Sequence, residues 1–205
     1  MPAEFHGQQS TAIPVDDILG EGFPFLTERV LLLANAGALP RGQILGLKRT
    51  AATGVKVSGA GNGVVGAVTL GRLAMPGVYV LTCTAAAQDA GTFKVQAPDG
   101  TRLPDLTVAS AYSGDHIALT IADGSADWEV GDLVHVTVTA KAVPYNPAAT
   151  TGEEIARLIL ADAVSVGSAD LVAIAYRTGV FRADKLTGLT AAARVALEAR
   201  SIFVR

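Results

Sequence analysis

The chain is short of the groups on which most protein chemistry is built. Of 205 residues only Cys83 is a cysteine, which excludes an internal disulfide framework and a cysteine-built zinc site. Three histidines occur, none with a partner at metal-ligand spacing. Charged residues make up 17%, 16 basic against 19 acidic, for a net charge of −3 at pH 7; an ordinary soluble domain carries roughly 25%. Without a basic surplus nothing displaces counterions from phosphates, so general nucleic-acid binding is not expected. Long hydrophobic runs are also missing: the longest, residues 30–39, is about half of the ~20 that span a bilayer. The start, Met1-Pro2-Ala3-Glu4-Phe5-His6, lacks the basic cluster and apolar stretch of a signal peptide. The expectation is a soluble protein folded in a cytoplasm, with no membrane partner. Aromatics are only 5% although hydrophobic residues reach 50%, so the core is built from many small side chains. The length suffices for one or two packed domains.

What is present changes character twice along the chain. From about 52 to 147 short β-runs alternate with Gly, Pro and Asp turns. Residues 117–121 and 134–138 alternate strictly, each placing one apolar face on a core. Residues 93–96 alternate too and end at Pro98-Asp99-Gly100, a turn sequence. Residues 78–84 make a further strand and 103–108 a weaker one. Strands at this spacing predict an antiparallel, immunoglobulin-like β-sandwich. With eight acids against five bases, this segment carries the whole net charge.

On either side, acids and bases balance. Residues 41–46 read as a strand entering a turn, and 171–176 as an apolar strand broken by Thr178-Gly179. Thr190 can cap a helix through Arg200 with Leu189, Ala193, Ala196 and Leu197 on one face, and 201–204 make a last short strand. Thr151-Gly152-Glu153-Glu154 has capping-box spacing, so residues around 155–161 fit a helix or a strand. Two flanks of similar chemistry around a β-rich middle predict one domain with another inserted into a loop, where insertions succeed.

Residues 1–28 show no sustained period and are interrupted by Pro2, Pro14 and Pro24, yet hold three of six phenylalanines, Phe5, Phe23 and Phe25. Burying a Phe is worth roughly 1.5–3 kcal/mol, against roughly 1–2 kcal/mol to fix each backbone residue. Such an arm does not fold upon itself but docks where a partner supplies a pocket and strand hydrogen bonds. Phe5, Ile13, Pro14, Val15, Phe23 and Phe25 are the candidate docking residues; Phe23 and Phe25 could equally cap their own domain.

The usual catalytic patterns fail on context. Gly61-Asn62-Gly63-Val64-Val65-Gly66 fits G-x-G-x-x-G, but a β-run follows where a dinucleotide site needs a helix, and a flexible linker is expected. Ser113, Asp115 and His116 are too close on one strand to make a triad. His135 sits on the polar face of a valine strand. Asp123, Asp127, Glu129 and Asp132 depart from the calcium-loop pattern and read as turns. Cys83 reads as a small core hydrophobe. No enzyme, catalytic residue, metal or cofactor is expected. Tyr79, Phe93, Tyr112, Trp128 and Tyr145 are the rings available for a second reading, a carbohydrate- or host-surface-binding sandwich.

Arg41-Gly42-Gln43-Ile44-Leu45-Gly46, Leu158-Ile159-Leu160-Ala161-Asp162 and, most closely, Thr178-Gly179-Val180-Phe181-Arg182 with Asp184 and Leu186 resemble the head decoration protein D family of lambda-like tailed phages. The motif positions are Gly179, Phe181, Arg182 and Leu186. The resemblance covers roughly residues 28–50 and 150–205 and favours a strand at 157–161. Residues 61–140 resemble a β-sandwich module inserted in various phage virion proteins, which the lambda-type protein lacks.

The resemblance implies a mainly β protein with a short C-terminal helix. Its expected parts are a capsid-docking arm at 1–28, a discontinuous decoration domain at 29–51 and 148–205, and an inserted sandwich at 52–147. It further implies a homotrimer on the outer surface of the mature capsid at three-fold and quasi-three-fold positions. There the arms pair with the major capsid protein and cement it against packaged DNA, which the chain never touches. The protein would be made in the host cytoplasm and end on the virion surface. The sandwich would project outward, enlarging the trimer or offering weak host-surface or glycan contact.

Overall fold

The computed structural model describes residues 17–20 and 24–205. In chain order the strands are β1 (Leu26–Leu32), β2 (Gly37–Leu39), β3 (Ile44–Ser58), β4 (Thr69–Leu70), β5 (Gly77–Ala87), β6 (Ala90–Gln96) and β7 (Arg102–Thr107). They continue as β8 (Tyr112–Ser113), β9 (Ile117–Leu119), β10 (Leu133–Pro144), β11 (Leu158–Leu160), β12 (Val164–Val166), β13 (Leu171–Phe181) and β14 (Ile202–Val204). One short helix, α1 (Ala191–Glu198), lies near the C-terminus. The fold is mainly β with a short C-terminal helix, as the sequence predicts.

Five strands close on themselves in the order β1, β13, β11, β3, β10, and Leu32 pairs with Ala142 to return β10 to β1. Closure removes the open edge that a flat sheet would expose. Alternation then sorts the side chains. Val30, Leu32, Leu45, Leu158, Leu160, Ala173 and Ala175 fill the inside. The outer row Ile44, Ile159 and Tyr176 meets Phe181, Ala193, Leu197 and Ile202 in a second layer under α1 and β14. β11 is buried on both faces, which is why its Leu-Ile-Leu carries no alternation to read.

β3 and β10 do not end at the barrel. They continue antiparallel to each other, and β10 also pairs with β5, followed by β6 and β7. The smaller sheet β4–β9–β8 covers their inner face over a core that includes Tyr79, Leu81, Phe93, Val95, Leu106, Val134 and Val136. Trp128, fully buried, meets Phe93 edge-on at 5.1 Å and donates from Nε1 to Ala122 O at 3.1 Å. The boundary expected at 51/52 falls inside β3, so the same strand serves both cores.

Several local expectations are corrected. At 41–46 the turn precedes the strand: Gln43 N–H donates to Pro40 O at 3.2 Å and β3 begins at Ile44. Thr178-Gly179 does not break β13, because Gly179 adopts φ +142° and lets the strand bend and run on to Phe181. Residues 151–154 cap no helix; Thr151 Oγ1 donates to Glu153 Oε2 at 2.7 Å, and the strand β11 follows. Gly61 and Gly63 are buried and packed on Trp128, not a flexible linker: a Cβ on Gly63 would sit 2.1 Å from Ala122 O and 2.5 Å from Trp128 Nε1.

Candidate docking surface

Of the candidate arm residues, Phe5, Ile13, Pro14, Val15 and Phe23 lie outside the described residues. Those described closest to them belong to their own domain. Ile18 is 2% exposed within the layer under α1. Leu19 bridges to Phe181, Gly20 N–H donates to Val180 O at 2.7 Å, and Arg182 N–H donates to Ile18 O at 3.1 Å. Asp17 pairs with Lys185 at 3.0 Å and Arg41 at 3.4 Å. The hydrogen bond and charge of Lys185 hold the Asp17 carboxyl below its ordinary value. Residues 17–20 therefore anchor whatever precedes them to the end of β13. Sequence reading missed this anchor, although Asp17-Ile18-Leu19 offers two apolar residues for it.

Phe25 is the candidate docking residue placed within the structure. It stands 49% exposed with its ring edge-on to Tyr176 at 5.6 Å, and Tyr176 in turn meets Phe181 at 5.1 Å. Gly179 makes room for this stack, since a Cβ there would come 3.0 Å from the Phe181 ring and 3.2 Å from Phe25 Cβ. Of the four positions singled out from the resemblance, three are packing residues: Gly179 for space, Phe181 fully buried, and Leu186 partly buried against the same layer. Arg182 holds an exposed ion pair to Asp184 at 3.1 Å.

From Phe25 an apolar strip runs along the outside of the barrel. Phe25 lies just ahead of β1 and reaches the outer side through its contact with Tyr176, while on β1 the outward Leu31 pairs with Val172, and Arg29 with Ile174. Leu31, Val172 and Ile174 are 41%, 59% and 39% exposed. Three exposed branched side chains side by side on one strand pair are the kind of patch that marks an interface, whereas isolated ones are ordinary. The hydroxyl-poor strip carries no group for acid–base chemistry.

The remaining candidates are dispersed or structural. The Tyr79 hydroxyl accepts from Met75 N–H at 2.8 Å and lies 3.2 Å from His116 Nδ1, while Ser113 sits exposed on β8. Cys83 is 1% exposed, and burial pushes its thiol pKa up. Tyr79, Phe93, Tyr112 and Trp128 turn inward to the sandwich core, and Tyr145 is buried in the barrel's layer under α1, so none of the expected sugar-stacking rings stands on the surface. His135 is half-buried on the outer face of β10, between Val55 and Val80. Asp89, Asp123 and Asp127 bring one carboxylate oxygen each within 4.8 Å of one another, a spacing compatible with a hard cation and common among solvated acids.

Asp132 closes the expected turn, its N–H donating to Glu129 O at 3.0 Å, but its side chain is not at the surface. It is 2% exposed and accepts from the backbone N–H groups of Ala60 at 3.0 Å, Gly61 at 2.9 Å and Glu129 at 3.1 Å. Burial works against its ionisation, but these three donors and Lys56 prevail and hold its carboxyl below the ordinary carboxylate value. Among the described residues no helix is long and apolar enough to cross a membrane.

No protein-family model matches the sequence, and no curated protein does. Among solved structures the chain is similar to FlgL from Xanthomonas campestris in two crystal forms, at 16% identity and a TM-score of 0.34 in each. The match covers 49% and 50% of this chain, and only 34% and 33% of those chains.

Proposed function

We propose that this chain is a phage head decoration protein, a structural cement and not an enzyme. It binds as a homotrimer to the outer surface of the mature capsid at three-fold and quasi-three-fold positions and stabilises the shell against packaged DNA. The reading starts from the sequence resemblance of the flanks. The observation that carries it is the outward strip Phe25, Leu31, Val172 and Ile174, on the flank where residues 17–20 fasten the arm to β13.

In this reading the barrel supplies rigidity, the strip supplies contact between copies, and the arm ahead of Ile18 pairs with strands of the major capsid protein. Because Ile18 is already held in the domain, an arm tethered there reaches its partner at high effective concentration. Three such arms on one trimer multiply affinity without new contacts per arm. The net charge of −3 suits an outer surface away from nucleic acid. The sandwich then projects from the shell as a structural extension.

Deleting residues 1–16, which leaves Ile18 in place, tests this. The truncated protein is expected to keep its fold and oligomeric state but to fail to co-sediment with expanded, decoration-free heads of its own phage. Full binding by the truncated protein would overturn the reading.

A further inference from the structure

Three arginines from distant parts of the chain meet at one end of the barrel. Arg157 precedes β11, Arg177 lies on β13, and Arg200 follows α1. Together with Glu28, Leu47 and Leu158 they line an open cavity of about 400 Å³. The carboxylate of Glu28 stands 3.7 Å from Arg177, so one lining acid faces three guanidinium groups. The molecule as a whole is net acidic, which makes this concentration of positive charge local.

Arg157 is the unusual member. Its backbone is fixed by N–H donation to Leu45 O at 2.9 Å, yet its Nε is buried with no hydrogen-bond acceptor among the described residues. Burial first, then the charges of Arg200 and Arg49, lower its pKa; Glu154 opposes them, but the Glu154 carboxylate already accepts from Gly152 N–H at 2.6 Å. A buried donor without an acceptor, beside like charges, costs stability. A ligand that supplies the missing acceptor removes that cost. A planar guanidinium fork matches the oxygens of a carboxylate or phosphate, and Leu47 and Leu158 lower the dielectric against which that pairing forms.

We propose that the Arg157–Arg177–Arg200 cavity binds an oxyanion, a phosphate or carboxylate group that neutralises the cluster and supplies the acceptor Arg157 Nε lacks. The site does not depend on the decoration reading and involves neither the apolar strip nor the arm.

The test is titration of the full chain by calorimetry, at constant ionic strength in chloride, with inorganic phosphate, tripolyphosphate and glutarate. Saturable binding of at least one is expected, accompanied by a rise in Tm, because a ligand that binds only the folded state stabilises it. Arg157→Gln and Arg200→Gln should each weaken binding at least tenfold, while Arg102→Gln, on the distant sandwich, should leave it unchanged. Without ligand, Arg157→Gln should unfold no earlier than the parent, an outcome that a purely structural role for Arg157 does not produce. Tighter phosphate binding identifies a free phosphate compound as the source; tighter glutarate binding identifies an acidic side chain. If Arg157→Gln proves unfolded, Arg200→Gln decides alone. No saturable binding by the parent, or equal binding by the arginine variants, would overturn the proposal.

Discussion

Asp132 and Gly61 are joined by a hydrogen bond of 2.9 Å from backbone N–H to carboxylate, across 71 positions of sequence. It fastens the segment leaving β3 to the start of β10, and Lys56 reinforces it by donating to the carbonyls of Gly59 and Gly61. The Lys56 ammonium also lies 6.0 Å above the Trp128 ring. The segment that enters the sandwich is therefore a clamp.

Asp132→Ala leaves three backbone donors without this acceptor. A charged hydrogen bond is worth roughly 1.5–3 kcal/mol, so the variant should lose at least about 2 kcal/mol in urea denaturation, with an unchanged m-value. The pH dependence follows from the lowered pKa of Asp132. Its contribution is fully present above the carboxylate value of the unfolded chain and is lost as the pH falls through the lower folded value. The parent and Asp132→Ala should therefore converge in stability in acid and diverge above it.

Gly63→Ala places a methyl group against the Ala122 carbonyl and the Trp128 indole. Both are held by the bond between them, so neither yields cheaply. The expected cost is about 1–3 kcal/mol, and the Trp128 emission should move to the red as water reaches the ring. Gly100→Ala provides the contrast: no atom lies closer than 3.9 Å to its added Cβ, and only its φ of +87° resists the change.

Phe181→Ala removes a fully buried ring and should cost about 3–5 kcal/mol. Arg182→Ala, beside it, breaks an ion pair whose side chains are 52% and 60% exposed. It should change stability by less than about 1 kcal/mol. Thermal denaturation of the two variants separates the packing role of the motif from its surface charge.

Val172→Glu combined with Ile174→Lys converts the exposed strip to charge. Both side chains already face solvent, so the fold should survive with little change in Tm. Light scattering should show the parent larger than a single chain and the double variant reduced to one. An unchanged mass would remove the strip from the interface.

Much of the fold could be read from the sequence wherever one face of a strand is wet. Residues 117–121 and 134–138 alternate, and alternation survives because polar side chains must point away from the core. It fails at β11, where both faces are covered and no polar residue marks the period. The strand through Gly179 looked interrupted because a glycine that bends a strand and one that ends it are written alike. The need for glycine at 61 and 63 comes from Trp128, far along the chain, so no local pattern announces it. Phe25 could be singled out by its unusual setting, but not the half-exposed stack on Tyr176. Ile18 stood among prolines and glycines that concealed its place in the core. The arginine cluster was illegible for a similar reason: only closure of the barrel brings 157, 177 and 200 to one mouth.

β3 and β10 leave one core and enter the other without a change of partner. At the crossing the ladder shifts register once, Thr139 pairing with Ala51 and Ala140 with Arg49. A sideways push on the tip of the sandwich is passed to the barrel along two paired ribs, and the skipped residue Thr50 marks the place where those ribs give first.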